Sequence, residues 1–69
     1  MITIQLNGED TEIPENISIE QLLAQLDLTG KRLAVELNQQ IIPRSRFAEQ
    51  DLQAGDQVEI VQAIGGGGC

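Results

Sequence analysis

The sequence predicts an α+β fold in which a single helix covers one face of a mixed, four- to five-stranded sheet. Two observations carry this prediction. Apolar residues alternate with polar ones in several short segments, which is the period of a half-buried strand, and one segment between them has helical spacing. At 69 residues the chain has room for one small domain, and with Phe47 as its single aromatic residue the core must be built from aliphatic side chains.

The first predicted element is a strand over residues 2–6, followed by a hairpin turn. Isoleucine or leucine at every second position of this segment indicates a strand with one buried face. Asn7-Gly8 is typical of a two-residue hairpin, because both residues adopt positive φ readily. Residues 11–13 are therefore expected to pair with the first strand, and Pro14 ends them because it has no N–H to donate to the ladder.

The predicted α-helix begins at Ser18. Ser18 and Gln21 have the spacing of a capping box, in which each side chain satisfies a backbone N–H of the other residue. We expect this helix to lie over the sheet and to end near Thr29-Gly30. Its apolar stripe consists of Ile19, Leu22, Leu23 and Leu26.

Two strands are predicted after the helix. Residues 33–37 again alternate between apolar and polar side chains, which indicates a third strand. Ile41-Ile42 are expected to form a short fourth strand, and Pro43 confines it to an edge or a strand end.

The last third of the sequence predicts an irregular connection and a long final strand. Residues 44–52 are expected to contain one helical turn and to be held to the core by Phe47 and Leu52. After the turn at Ala54-Gly55-Asp56, the alternation over residues 57–64 is the longest strand signal in the sequence.

The order of these elements limits the ways in which the strands can be arranged. If the first and last strands are neighbours at the centre of the sheet, the chain crosses between them through the helix with a right-handed connection, and the layout is a β-grasp. The predicted domain comprises residues 1–64. Residues 65–69 follow as a tail that is expected to be flexible, because glycine loses more conformational entropy on ordering than any other residue.

The charge of the chain excludes some classes of function. Eleven acidic residues against four basic ones give a formal net charge of −7, which repels the phosphates of nucleic acids. There is neither a basic, apolar leader nor an apolar run of the length that spans a bilayer, so we expect a cytoplasmic protein with no membrane partner. The sequence has no histidine and a single cysteine, so neither a metal site nor a catalytic site of its own is expected.

The chain ends with Gly65, Gly66, Gly67, Gly68 and Cys69. Composition alone favours a linker or an addition of recombinant origin. A functional interpretation is also available, because four extended residues span at most about 13 to 14 Å and glycine lets an enzyme approach the backbone closely. In that interpretation the tail enters the active site of another protein, which uses the terminal carboxylate as its substrate.

The predicted strand order, the segment Leu37-Asn38-Gln39-Gln40-Ile41-Ile42-Pro43-Arg44, the turn Ala54-Gly55-Asp56-Gln57-Val58 and the glycine terminus together resemble the ThiS-type sulfur carriers of thiamin biosynthesis. These carriers are ubiquitin-like β-grasp proteins of the MoaD/ThiS family, and the resemblance covers nearly the whole chain. The resemblance implies that an ATP-dependent, ThiF-type enzyme adenylates the terminal glycine. It further implies that a sulfur-relay enzyme supplies the sulfur of a thiocarboxylate, which a ThiG-type thiazole synthase consumes. In this scheme the carrier binds no cofactor itself, and ATP is used by the activating enzyme.

Cys69 is a departure from the family pattern, in which the chain ends with Gly-Gly. The resemblance places the reactive carboxylate on Gly68, or alternatively on Gly67, and Cys69 blocks it. Either a C-terminal peptidase removes Cys69, by analogy with related carriers that are trimmed, or the residue is of recombinant origin. A role for Cys69 as a reactive thiol is disfavoured, because the sequence around it offers no cation or helix N-terminus to stabilise a thiolate.

The face of the sheet opposite the helix is the candidate docking face for partner enzymes, and its expected members are Ala34, Glu36, Val61 and Ala63. Val61 and Ala63 are apolar where polar side chains are expected, although single apolar residues are common on protein surfaces.

Two alternative functions remain open at this stage. One is a sulfur carrier for another pathway, such as molybdopterin synthesis, including a carrier with a trimmed tail. The other is a β-grasp binding module or a ubiquitin-like modifier.

Overall fold

A computed structural model describes residues 1–62 as a mixed, five-stranded sheet with one α-helix packed on one face. The elements in chain order are β1 (Ile2–Leu6), β2 (Glu9–Ile13), α1 (Ile19–Gln25), β3 (Leu33–Leu37), β4 (Gln40–Ile42), a 3₁₀-helix (Arg44–Arg46) and β5 (Gln57–Gln62). The strand order is β2-β1-β5-β3-β4; β1 and β5 are parallel and the other neighbours are antiparallel. The predicted fold class and the central pairing of the first and last strands are confirmed.

The β1–β2 hairpin follows from its two turn residues. Asn7 and Gly8 have φ values of 51° and 85°, so both central residues of the turn lie in the left-handed region. This turn has the twist that joins two antiparallel strands with a two-residue loop, and it sets Leu6 opposite Glu9. The second strand is longer than predicted because the pairing continues to the edge of the turn.

The N-terminal end of α1 is held by its own side chains and by the 44–52 connection. Ser18 Oγ accepts from the Gln21 N–H at 3.2 Å, and Gln21 Oε1 accepts from the Ser18 N–H at 2.9 Å, which confirms the capping box. The N–H groups of Ile19 and Glu20 donate to the carbonyls of Gln50 and Phe47. The first three N–H groups of the helix, which have no partner within it, are therefore all satisfied.

The C-terminal end of α1 differs from the prediction. The helix ends at Gln25 rather than near Thr29-Gly30, because Asp27 has a φ of 61° and turns the chain out of the helix. The Asp27 N–H donates to Ala24 and the Leu28 N–H to Leu23, which is the hydrogen-bond pattern of a Schellman motif. Leu26 was expected in the apolar stripe but is 37% exposed, and Leu28 packs against the core instead.

The core lies between α1 and the sheet and is aliphatic apart from Phe47. Its centre is formed by Ile4, Val35 and Val58 on three adjacent strands, which are fully buried beneath the helix. Phe47 and Leu52 are also buried, as predicted, and hold the 44–52 connection against the core. At seven residues, the one α-helix of the described chain is too short to span a membrane.

Replacing Asp27 with glycine should stabilise the domain. Glycine adopts positive φ without steric cost, and the substitution also removes a negative charge from the C-terminal end of a helix, so Asp27→Gly should raise the free energy of unfolding by about 0.5 to 1 kcal/mol. Urea denaturation followed by circular dichroism measures this change. Asp27→Asn, which removes the charge and keeps a side chain, should gain less. Equal gains in the two variants would contradict a backbone origin.

Candidate functional site

The last described strand, β5, ends at the middle of one end of the sheet. β5 lies between β1 and β3, and its last residue, Gln62, is opposite Leu33. The predicted tail residues Gly65, Gly66, Gly67, Gly68 and Cys69 follow in the sequence and lie outside the described residues, as does the predicted domain boundary after Ile64. The structure therefore defines the base from which the tail leaves the sheet.

A hydrogen-bonded cluster around Asp56 fixes the start of β5. The carboxylate of Asp56 accepts from the Gln53 N–H at 2.8 Å and from Asn38 Nδ2 at 3.2 Å. Its backbone carbonyl accepts from the Gln5 N–H of β1 at 2.9 Å. One residue thus connects the turn before β5, the β3–β4 turn and β1.

Asn38 completes this connection from the β3–β4 turn. Its side-chain Oδ1 accepts from the Gln57 N–H at 3.0 Å, and its own N–H donates to the Gln57 carbonyl at 2.8 Å. The first residue of β5 is therefore bonded on one side to a turn residue whose side chain acts in place of a strand backbone. Asn38 belongs to the segment that carries the family resemblance, but its role was missed at the sequence level.

Asn7 has a similar role on the other side of β5, next to β1. The Asn7 N–H donates to the Val58 carbonyl at 2.8 Å, and Asn7 Oδ1 accepts from the Ile60 N–H at 2.8 Å. The side-chain amide extends the β1–β5 ladder past the last residue of β1. Sequence reasoning assigned Asn7 to a hairpin and missed this contact, although turn asparagines often bond to nearby backbone groups.

The face of the sheet that α1 does not cover, called here the open face, has an unusual composition. In the described strands it contains no lysine or arginine, and it places Ala34 opposite Val61 and Glu36 opposite Glu59. Three of the predicted docking residues, Ala34, Glu36 and Val61, lie on this face, and Ala63 lies outside the described residues. Its described members are Thr3, Gln5, Asp10, Glu12, Ala34, Glu36, Ile41, Gln57, Glu59 and Val61.

Apolar side chains and facing carboxylates meet at one place on the open face. Val61 is 60% exposed, and Ile41, which pairs with Glu36, is 71% exposed. Sequence reasoning placed Ile41 in a strand but did not assign its face, because a three-residue edge strand has too little alternation to show it. Glu36 and Glu59 are directly opposite each other, an arrangement that destabilises an isolated sheet. A partner with apolar and cationic side chains would cover the exposed apolar side chains and neutralise the two facing carboxylates.

Residues 1–62 contain no group of three or more histidine, cysteine, aspartate or glutamate side chains placed to hold a metal ion. A cavity of about 240 Å³ lies beside the C-terminal end of α1. Its walls include Leu23, Leu28 and Phe47, and Lys31, Arg44 and Glu20 lie at the same cavity.

Comparisons with family models, protein sequences and solved structures give relatives that carry the same family name. Residues 4–67 match the model of the ThiS family. The sulfur carrier protein ThiS of Bacillus subtilis is 40% identical over 65 residues, which cover 93% of this chain and 98% of that protein. A crystal structure of a thiamine biosynthesis protein (ThiS) from Geobacter metallireducens superposes with a TM-score of 0.83 at 28% identity, covering 96% of this chain and 100% of that one.

A second kind of relative is much longer than this chain. A thiazole synthase of Paramagnetospirillum magneticum is 39% identical over 62 residues, which cover 90% of this chain but only 19% of that enzyme. In that enzyme a segment similar to this chain is therefore part of the same polypeptide as the rest of the protein.

The Asp56 cluster should be important for stability. Asp56→Ala leaves the Gln53 N–H and the Asn38 amide without their acceptor at the start of the central strand, so we expect a loss of about 1 to 2 kcal/mol in the free energy of unfolding. Urea denaturation measures the loss. Asp10→Ala removes the same charge from an exposed strand residue and should change stability by less than about 0.5 kcal/mol. Similar losses in both variants would show that the cluster adds nothing beyond charge.

Proposed function

The chain belongs to the ThiS family, and we propose that it is a sulfur carrier of thiamin biosynthesis that bears the sulfur on its own carboxyl terminus. The observation that carries this proposal is the course of β5, which is anchored at the centre of the sheet and is followed in the sequence, after Ala63 and Ile64, by four glycines. The family match, which extends into those glycines as far as residue 67, supports it further. So does the coverage of the B. subtilis carrier over nearly its whole length.

The proposed chemistry takes place on the terminal glycine in the active sites of other proteins. The carboxylate attacks the α-phosphate of ATP, pyrophosphate leaves, and the mixed anhydride that forms has AMP as a good leaving group. Sulfide then attacks the acyl carbon; a C–S bond forms, the C–O bond to AMP breaks, and no electrons are transferred. If a relay enzyme delivers the sulfur as a cysteine persulfide, the same displacement of AMP gives an acyl disulfide, and a thiol reductant must then supply two electrons to cleave its S–S bond and release the thiocarboxylate. The carrier supplies the acyl group and the domain by which it is held, and it acts as a co-substrate with no active site of its own.

The proposed reactive residue is Gly68, with Gly67 as the alternative. Both are glycines with no side chain to hinder attack on the carboxylate. In either case Cys69 must be absent when the chemistry begins, so a C-terminal peptidase belongs to the scheme if the residue is native.

The proposed partners are an adenylating enzyme of the ThiF type, a sulfur-relay enzyme and a thiazole synthase of the ThiG type. The thiazole synthase that contains a segment similar to this chain supports the last of these, because fusion keeps a carrier next to the enzyme that uses it. The same relative favours thiamin synthesis over the alternative of a carrier for molybdopterin. We place these steps in the cytoplasm, where ATP is available.

The open face is proposed as the surface that partner enzymes bind. A tail can be directed into an active site only if the domain behind it is held, and Val61 lies one residue before the last residue of β5. Docking there would bury the exposed Val61 and Ile41 side chains close to the base of the tail.

The central prediction is a change in mass. The form that ends at Gly68, incubated with the adenylating enzyme, ATP and sulfide, should gain about 16 Da as one oxygen is replaced by sulfur, because the acyl adenylate is open to attack. Intact-mass spectrometry measures the conversion.

Two other forms of the chain, one full-length and one shorter, serve as controls for this assay. The chain that ends at Cys69 should not convert without a peptidase, and the form that ends at Gly67 tests the alternative terminus. An unchanged mass for both glycine-ended forms, under conditions that convert the B. subtilis carrier, would disprove the proposed function.

A second prediction concerns the open face. Val61→Asp places a third carboxylate near Glu36 and Glu59 and removes an apolar contact, so the affinity for the adenylating enzyme should fall about tenfold or more. Isothermal titration calorimetry measures it. Ala48→Asp adds the same charge to an exposed residue of the 44–52 connection and should leave the affinity within about twofold. If Val61→Asp binds the adenylating enzyme with wild-type affinity, the enzyme binds a surface other than the open face.

A further inference from the structure

The positive charges of this acidic chain are confined to one region. All four lysine and arginine residues lie between positions 31 and 46, whereas the eleven acidic residues are spread from Glu9 to Glu59. In residues 1–62, the described ion pair joins the amino terminus to Glu15 at 3.8 Å, and it involves none of these four side chains. A chain with so many carboxylates thus leaves its few cations available to another molecule.

Three of these cations lie at the end of the sheet where the tail begins. Arg32 directly precedes Leu33, which is opposite Gln62, the last residue of β5. Arg44 follows the neighbouring strand β4, and its Nη2 donates to the Lys31 carbonyl at 2.7 Å. We call Lys31, Arg32 and Arg44 the exit cluster, and all three side chains are exposed.

The exit cluster rests on an ordered backbone. Gly30 has a φ of 83°, the Lys31 N–H donates to the Leu28 carbonyl at 3.2 Å, and Leu28 packs against the core. The Arg44 bond then ties the end of β4 to the same loop. Because these hydrogen bonds hold the backbone of the loop, less conformational entropy of the loop is lost when a partner binds it.

The position of the exit cluster decides whether it can contact a nucleotide at the reactive carboxylate or an anionic surface of the partner protein. Gly68 is six positions after Gln62, which corresponds to at most about 20 to 22 Å of extended chain. When the tail is extended into an active site, a lysine or arginine at its base is too far away to contact a nucleotide at the reactive carboxylate. A partner that takes up the tail would instead bring the surface around its active-site entrance to the exit cluster.

We propose that the exit cluster docks against an acidic surface at the mouth of the enzyme active site that receives the tail. The inference rests on the proposed function, since it requires an enzyme that takes up the tail. The domain then carries two opposite signs of charge, with carboxylates on the open face and cations at the exit. A partner with the reverse arrangement would bind it in one orientation, and charge complementarity of this kind also speeds association.

The test compares two variants with the same net charge. Lys31→Gln/Arg32→Gln removes two cations from the exit cluster. Gln39→Glu/Ala54→Glu adds two carboxylates at exposed turn positions at the opposite end of the sheet, so each variant makes the formal charge of −7 more negative by two. Stopped-flow association with the adenylating enzyme is measured for glycine-ended chains at about 0.1 M and about 1 M salt, where the Debye length is about 10 Å and about 3 Å. Thermal unfolding confirms that both variants are folded.

The first variant should associate about fivefold more slowly than wild type at the lower salt concentration, and the difference should disappear at the higher one. The second variant should stay within about twofold of wild type. At saturating enzyme, all three chains should reach the same extent of sulfur incorporation by mass.

Three results would overturn the inference. If Lys31→Gln/Arg32→Gln associates at the wild-type rate and incorporates sulfur normally, the docking role of the exit cluster is disproved and the proposed function is unaffected. Equal slowing in both variants would assign the effect to net charge. If the wild-type chain neither binds the adenylating enzyme nor gains sulfur, the proposed function is disproved, and so is the inference that rests on it.

Discussion

The parallel pairing of β1 with β5 is the contact on which the rest of the structure depends. Parallel strands cannot be joined by a tight turn, so the chain must cross over between them, and it does so through β2, α1, β3 and β4. The helix in this crossover covers one face and buries the aliphatic residues of the three middle strands. The same pairing places the last strand at the centre of the sheet, with a neighbouring strand on each side. The residues that follow β5 in the sequence therefore start from the middle strand of the sheet.

Side chains of turn residues hold this central strand at the points where backbone pairing ends. Asn38 and Asp56 bind the start of β5, and Asn7 occupies the place of a ladder acceptor beside Ile60. The hydrogen bonds are short and join segments far apart in sequence, so they fix the strand against both neighbours. Under the proposed function, a rigid base for the tail is useful because less of the chain has to be ordered when a partner enzyme binds it.

The sequence-level analysis succeeded where the signal is local. Alternation located the strands, and the Ser18–Gln21 spacing located the start of the helix, because both depend on neighbouring residues. The end of the helix was wrong because Asp27 adopts a left-handed conformation that apolar spacing does not encode. The contacts of Asn38 and Asn7 were missed because their partners are 19 and 53 positions away. The described residues fix the base of the tail and the open face, whereas the reactive glycines were assigned from sequence and family resemblance.

The facing carboxylates of Glu36 and Glu59 also affect how copies of this chain meet each other. An exposed sheet face with Ile41 and Val61 at its surface would ordinarily favour stacking of two identical molecules. In such a stack, the carboxylates of one copy would meet those of the other, with no lysine or arginine from any described strand to separate them. The facing carboxylates therefore disfavour this kind of self-association and favour a basic partner on the same face.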